Sequence, residues 1–468
     1  MKARLLPLLM AAAGTAAAAI PTVIHPDADL VALYDEAWRE AKTRTLEAPE
    51  GTPVKRYMDE CVYDDQIWIW DSCFMAQFTK YAAADYPGIE TLEAVYAPVV
   101  EHRDTPLRVY HWDNPPLFAW CELEHWRFHG DRARLEDILI KRQLPQRHYA
   151  AFMDPPTGKR IPGCTNPVEL KAAKAANGAW GFVWSGYRSG MDNTSRGAGV
   201  GWGGILWVDA IAQQALSAKC IAALYDALGP EYAAESAKWR KEFARVAKEI
   251  NDHYWCEEDG FYYDVRLADG GFCKVRPPAS LWPLLAGVAT QAQADRVAKW
   301  FEDPMEFGGE RPIPTVSRRS PGYNAKTGDY WRGGIWLPTG YMTIRALDAY
   351  GHRALADSLA KRIVALQDRV FRNYEPHSIW ECYAPEADEP STEHGRRARH
   401  TFCGWSALGP INLFIENHIG LRACDAPSGT VVWDPPADAA YPLGIRGLVF
   451  GDRTLSIEDD GRTLTVTA

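Results

Sequence analysis

The stretch VDAIAQQALSAKCIAALYDALG, residues 208–229, decides the fold. Its apolar side chains recur in steps of three and four, at Val208, Ile211, Ala215, Ala218, Ala222 and Tyr225, until Gly229 stops the run. That period belongs to an α-helix with a buried stripe. The same stepping returns in Trp239, Phe243, Val246, Ile250 and Tyr254, and again in Leu355, Leu359, Ile363, Leu366 and Val370. A shorter helix begins at Thr290, with Gln293 three residues on in capping-box spacing, and buries Ala294, Val297 and Trp300. Long segments rich in Gly, Pro, Trp and charge separate the helices, notably Asn177 to Gly204 and Tyr374 to Gly404. Loops of that length inside a compact domain usually carry function. Helices alternating with such loops over residues 20–420 predict an all-α toroid of paired helices, with one set of loops building the site. The end differs. Thr430–Trp433, Thr454–Ile457 and Thr463–Thr467 alternate and are β-branched, with a turn signal at Asp459, Asp460 and Gly461. Residues 421–468 are therefore expected to form a small β appendage.

Residues 1–19 combine Lys2 and Arg4 with an apolar run from Leu5 to Met10 and an Ala-rich end at Ala19. This predicts a signal peptide and a periplasmic or secreted product, since no later stretch is long enough for a membrane span. With 51 basic and 61 acidic residues, the chain carries a net charge of −10, which argues against nucleic acid as a partner. Tryptophan outnumbers phenylalanine, 19 to 15. Indole faces stack on the apolar faces of sugar rings, although a Trp-rich core is an equal reading. Cys73, Cys121 and Cys220 lie in apolar patterns and read as buried thiols. There is no zinc-type Cys and His cluster, phosphate-cradling Gly loop or dinucleotide fingerprint, so neither a metal nor another cofactor is expected.

Four segments interleave polar and aromatic residues where a plain helix or strand would separate them. In the first, Trp68, Trp70 and Asp71 place an acid next to two indoles, suited to sugar hydroxyls or, slightly favoured on its own, to an N-terminal helix cap. The second runs from Trp184 through Asp192, Asn193 and Arg196 and is too rich in Gly and Ser for a helix interior; Asp192 is a catalytic candidate or an ordinary turn acid. In the third, Tyr330, Trp331, Arg332, Gly333, Gly334 and Trp336 combine close backbone approach with a planar donor fork or, equally, form a helix-entry turn with Arg332 paired to a structural acid. The fourth sets Glu381 between Trp380 and Tyr383 and is followed by Trp405.

In this order, from about Trp68 to Gly409, the four segments resemble the catalytic domain of glycoside hydrolase family 63 and its relatives, the family 37 trehalases and mannosylglycerate hydrolases. Trp70-Asp71-Ser72, Ser189 to Arg196, and Tyr330 to Trp336 match the family's successive motifs, and Asn114-Pro115-Pro116 looks like a family turn entering an inner helix. The resemblance implies a mainly α, (α/α)6 barrel. It also implies Asp192 as general acid and Glu381 as general base of an inverting hydrolysis of an α-linked glucoside or mannoside. Trp68, Trp70, Asp71, Asn114, Trp184, Arg196, Trp331, Arg332, Trp336 and Trp405 would bind the sugar of an oligosaccharide or small glycoside. Ala384 departs from the polar residue usual before Pro385, which leaves Glu375 and Glu386 as rivals of Glu381.

Such chemistry needs one protonated carboxyl for the departing oxygen and one ionised carboxylate to activate water. Trp184 and Met191 are expected to supply an apolar setting for Asp192, and Arg332 to steady a hydroxyl or the base. Three rivals remain at this point. A sugar isomerase or epimerase would use histidines, with His111, His253, His377 and His400 available, and a phosphorolytic enzyme would depend on phosphate. A catalytically silent carbohydrate-binding protein would keep only the pocket.

Overall fold

The computed structural model describes residues 4–7, 20–60 and 65–467. Twelve helices alternate between an outer and an inner ring: Ala28–Thr43 with Ile69–Thr79, Gly88–Val99 with Phe118–His129, Leu144–Met153 with Val208–Leu228, Ala233–His253 with Trp282–Ala286, Gln291–Glu302 with Leu337–Ala349, and Arg353–Asn373 with Gly409–Ile419. Packing between helices separates the rings, and burial follows it in part. All of Ile69–Thr79 and all of the π-helical Gly409–Ile419 are buried, so these two inner helices show no solvent-facing side. Ala233–His253, by contrast, buries only Ser236, Trp239, Val246 and Ile250. Its stripe is legible as a period of 3.6 because one side meets water. The ring closes where Gly409–Ile419 packs on both Ala28–Thr43 and Arg353–Asn373. This is an (α/α)6 toroid.

Local signals act where they were expected. Val208–Leu228 spans the opening motif and ends at Gly229. Thr290 caps Gln291–Glu302 in a reciprocal capping box, its hydroxyl accepting from the Gln293 N–H at 3.2 Å while Gln293 Oε1 accepts from the Thr290 N–H at 2.8 Å. Trp300, expected inside, is only partly buried. The described cysteines are free thiols, Cys73, Cys121 and Cys220 all buried. No helix among the described residues is long and apolar enough to cross a membrane.

Beyond residue 420 the chain forms strands Leu421–Asp425, Thr430–Trp433, Leu443–Phe450, Arg453–Asp459 and Leu464–Thr467. Asp460 makes the expected turn, its carboxylate accepting from the N–H groups of Arg462 and Thr463 at 2.8 and 2.6 Å. Leu443–Phe450 escaped the sequence reading, because Gly444 and Gly447 interrupt its alternation. These strands belong to two sheets, and neither is made only of the chain's end: Thr22–Ile24 pairs antiparallel with Leu443–Phe450, so the segment before the first helix helps build one of them. Arg4–Pro7 likewise pairs with Thr430–Trp433, whereas residues 1–3 and 8–19 of the expected leader lie outside the described residues.

Candidate active site

Segments leading into five inner helices meet at one end of the toroid. Trp68, Trp70 and Asp71 open Ile69–Thr79; Asn114 precedes Phe118–His129; Asp192 precedes Val208–Leu228. Tyr330, Trp331 and Trp336 lead into Leu337–Ala349, and Glu381, Arg399 and Trp405 into Gly409–Ile419. All of these side chains line one cavity of about 250 Å³. Each helix points its positive dipole end that way, a setting that tolerates clustered acids.

Asp192 and Glu381 face this space in opposite surroundings. The Asp192 carboxyl is pushed up to about 7, first by burial and then by the charges of Glu381 and Glu393, with Arg399 opposing weakly. Such a group is a proton donor near neutrality. Burial also raises Glu381, but Arg399 and the Tyr330 hydroxyl work against it. Tyr330 donates to Oε1 at 2.7 Å, the Arg399 guanidinium donates to both oxygens at 2.9 and 3.0 Å, and the Arg399 N–H reaches Oε2 at 3.2 Å. These donors favour the ionised form and fix its direction. The backbone of Glu381 is held too: Trp405 Nε1 and the Ser406 hydroxyl both donate to its carbonyl, at 3.2 and 3.1 Å.

Indoles wall the cavity. Trp331 and Trp336 stack at 3.9 Å and 19°, and Trp68 stacks on Tyr110 at 4.8 Å. Gly190, at a φ of +80°, lets the Trp70 ring come within 3.0 Å of where a Cβ would stand. Asp71 is buried in the first turn of its helix and is not the cap, a place taken by Trp68. The Asn114 amide donates to the Arg188 carbonyl at 2.9 Å, while Asn114 Oδ1 and Trp70 Nε1 are buried without a partner.

Asn193 ties the acid's loop to the base's support. Its Nδ2 donates to the Asp329 carbonyl at 2.9 Å and its Oδ1 accepts from the Trp331 N–H at 2.8 Å. Between them Asp329 and Tyr330 sit at φ of +34° and +65°, a left-handed pair without glycine that must be held in place. Asn193→Ala is expected to lower kcat by about 10-fold or more, because Tyr330 loses its aim at Glu381. An unchanged kcat with intact melting behaviour would show that the turn holds itself.

Three residues expected to bind sugar lie elsewhere. Trp184 is buried behind the site against Phe152 and Trp207, donating to the Asp113 carbonyl at 2.8 Å, so it cannot line the acid's surroundings. Arg196 is wholly buried between Asp209 and Asp264. Arg332 is 45% exposed and turns to Asp329 at 3.5 Å; the cation beside the base is Arg399. Glu375 and Glu386 are surface acids, paired with His377 and Arg318, which removes them as rivals of Glu381. Of the four histidines noted for an isomerase, His111 alone lines the cavity. Sequence reading also missed Glu60, Tyr110, Glu393 and Arg399, and gave no role to Tyr187 and Phe402 within their segments. A weak signal existed for Arg399 in the basic run Arg396, Arg397, Arg399, His400. Its place depends on the pairing of Trp380 with His400, which no local pattern announces.

The model of the mannosylglycerate hydrolase MGH1-like glycoside hydrolase domain matches residues 64–406. The chain belongs to this family. As a glycoside hydrolase of that kind it is 23% identical over 440 residues to an uncharacterized protein of Borreliella burgdorferi, covering 89% of this chain and 85% of the other. It is 34% identical over 124 residues to a mannosylglycerate hydrolase of Thermus thermophilus, a stretch covering 26% of this chain and only 28% of that enzyme. The crystal structure of a family 63 mannosylglycerate hydrolase from Thermus thermophilus in complex with glucose superposes at a TM-score of 0.58 with 19% identity, covering 81% of this hydrolase and 99% of that chain.

Proposed function

We propose that this glycoside hydrolase cleaves an α-linked glucoside or mannoside with inversion at the anomeric carbon. Water attacks that carbon while Glu381 takes its proton, and the bond to the departing oxygen breaks as Asp192 protonates it. One observation carries the reading. Two carboxyls line a single tryptophan-walled cavity, one held up to about 7 without a cation of its own, the other gripped by Arg399 and Tyr330. Inverting chemistry requires about 6.5–9.5 Å between such carboxyls, room for a water beside the sugar. The sugar class rests on the relatives, named mannosylglycerate hydrolase and in one case holding glucose.

The deciding experiment follows the anomer first released from α-glucosides and α-mannosides by NMR. Initial release of the β-anomer supports the proposal, and the α-anomer would establish retention instead. Phosphate-independent turnover sets hydrolysis apart from phosphorolysis.

The pH profile is a second test. Rate needs Asp192 protonated, so it should fall as pH rises through about 7. It also needs Glu381 ionised, so it should fall again as pH drops through that carboxyl's raised value. The two limbs belong to the coupled pair rather than to either acid alone. A maximum above pH about 8 would remove Asp192 from the acid's role.

Export is also proposed, from the composition of residues 1–19. Mass spectrometry of the mature N-terminus checks it, with cleavage near Ala19 expected.

A further inference from the structure

The ionisable side chains that line the cavity are mostly acids. Among the described residues Glu60, Asp71, Asp192, Glu381 and Glu393 line it, against a single arginine. That arginine, Arg399, is already committed to Glu381 at 2.9 Å and to Glu393 at 3.3 Å. Neighbouring cations face away: Arg188 binds Glu169 at 3.0 Å, and Arg332 turns to Asp329. Among the described residues no uncommitted lysine or arginine lines the cavity. Burial pushes Asp71 and Asp192 toward their neutral forms, yet a substrate carboxylate brought here would still face Glu381 and Glu393, whose shared cation is already committed to them, and like charge in a desolvated site opposes binding.

The aromatic lining is graded by depth. Trp331 and Trp336 are fully buried, whereas Tyr187 lines the same cavity at 57% exposure. Trp202 braces Tyr187 edge-on at 5.8 Å, and Val200, on the same loop, is also exposed. Among the described residues the large hydrophobics this exposed are Tyr187, Val200 and Met305, so two of them fall on the loop that carries Asp192. An exposed ring lining a sugar-sized cavity is an apolar platform left largely open to solvent.

From these two observations we infer that the leaving group is an uncharged ring, a second neutral sugar seated against Tyr187, and that glycosides of an acid such as glycerate are rejected. The inference rests on the hydrolase reading above. It departs from the acid-bearing substrate in the names of the family's mannosylglycerate hydrolases.

The test compares three probes in both the glucose and mannose series: a neutral α-linked disaccharide, the matching α-glycosylglycerate, and the α-glycosyl fluoride, whose leaving group touches no platform. The disaccharide should exceed the glycerate by at least about 10-fold in kcat/KM, a gap that narrows as salt is raised. Tyr187→Ala should lower the ratio of disaccharide to fluoride kcat/KM by about 10-fold. Preference for the glycerate, or an unchanged ratio in Tyr187→Ala, overturns the inference while fluoride hydrolysis leaves the hydrolase reading standing. If the fluorides too are untouched, both fall. Should Tyr187→Ala fold poorly, Tyr187→Ser gives the same readout, and the comparison of disaccharide with glycerate in the unaltered enzyme decides by itself.

Discussion

Asp192→Asn and Glu381→Gln are each expected to lower kcat on an unactivated α-glycoside by about 10²–10⁴-fold, with melting temperature and circular dichroism little changed. The two losses should differ in kind. Asn cannot give a proton to the departing oxygen, so the loss at Asp192 shrinks on a glycosyl fluoride or another substrate whose leaving group needs none. Gln cannot take a proton from water, so the loss at Glu381 persists whatever the leaving group. The fold should survive both changes, because neither acid supports the core: Asp192 lines the cavity, and Arg399 keeps Glu393 at 3.3 Å when Glu381 is neutralised. Near-normal turnover in either variant would remove that residue from the mechanism.

A large effect of the opposite sort is expected at Arg196. Its guanidinium donates to Asp209 at 2.6 and 2.8 Å and to Asp264 at 2.9 and 2.5 Å, and it lies over the Trp207 ring at 4.2 Å. Both acids are buried, and Asp264 also accepts from the Val208 N–H at 3.0 Å, where an inner helix begins. Arg196→Ala strands two buried carboxylates together, and the expected cost is about 3–5 kcal/mol, read as a shift of the urea unfolding curve. Arg332→Ala, at an exposed pair, should cost no more than about 1 kcal/mol. If Arg196→Ala instead raised KM at unchanged stability, Arg196 would be a sugar ligand after all, as its place in the motif suggests.

Arg196 and Trp184 show why a motif can be read correctly and its members misassigned. Both lie within a few residues of Asp192, and residue types alone do not say which members of a loop face inward. Gly190, held against Trp70, turns the chain so that Asp192 reaches the cavity while Trp184 remains in the core behind it. Arg399 is the reverse case. It sits eighteen positions from Glu381, in a stretch that reads as surface charge, and is brought to the base only because the Glu381 N–H donates to the Arg399 carbonyl at 2.9 Å.

The helix at Val208–Leu228, the outer stripes after it, the capping box at Thr290 and the C-terminal turn at Asp460 were legible in the amino-acid order, because each depends on neighbours within a few residues. So were the family's motifs, which place Asp192 and Glu381 on loops before inner helices. Which loops meet, and hence which cation serves the base and which acids crowd the donor, was decided only when the toroid closed. A side chain's partners across the ring are set by packing between helices far apart in sequence, and electrostatic surroundings follow distance in space rather than along the chain.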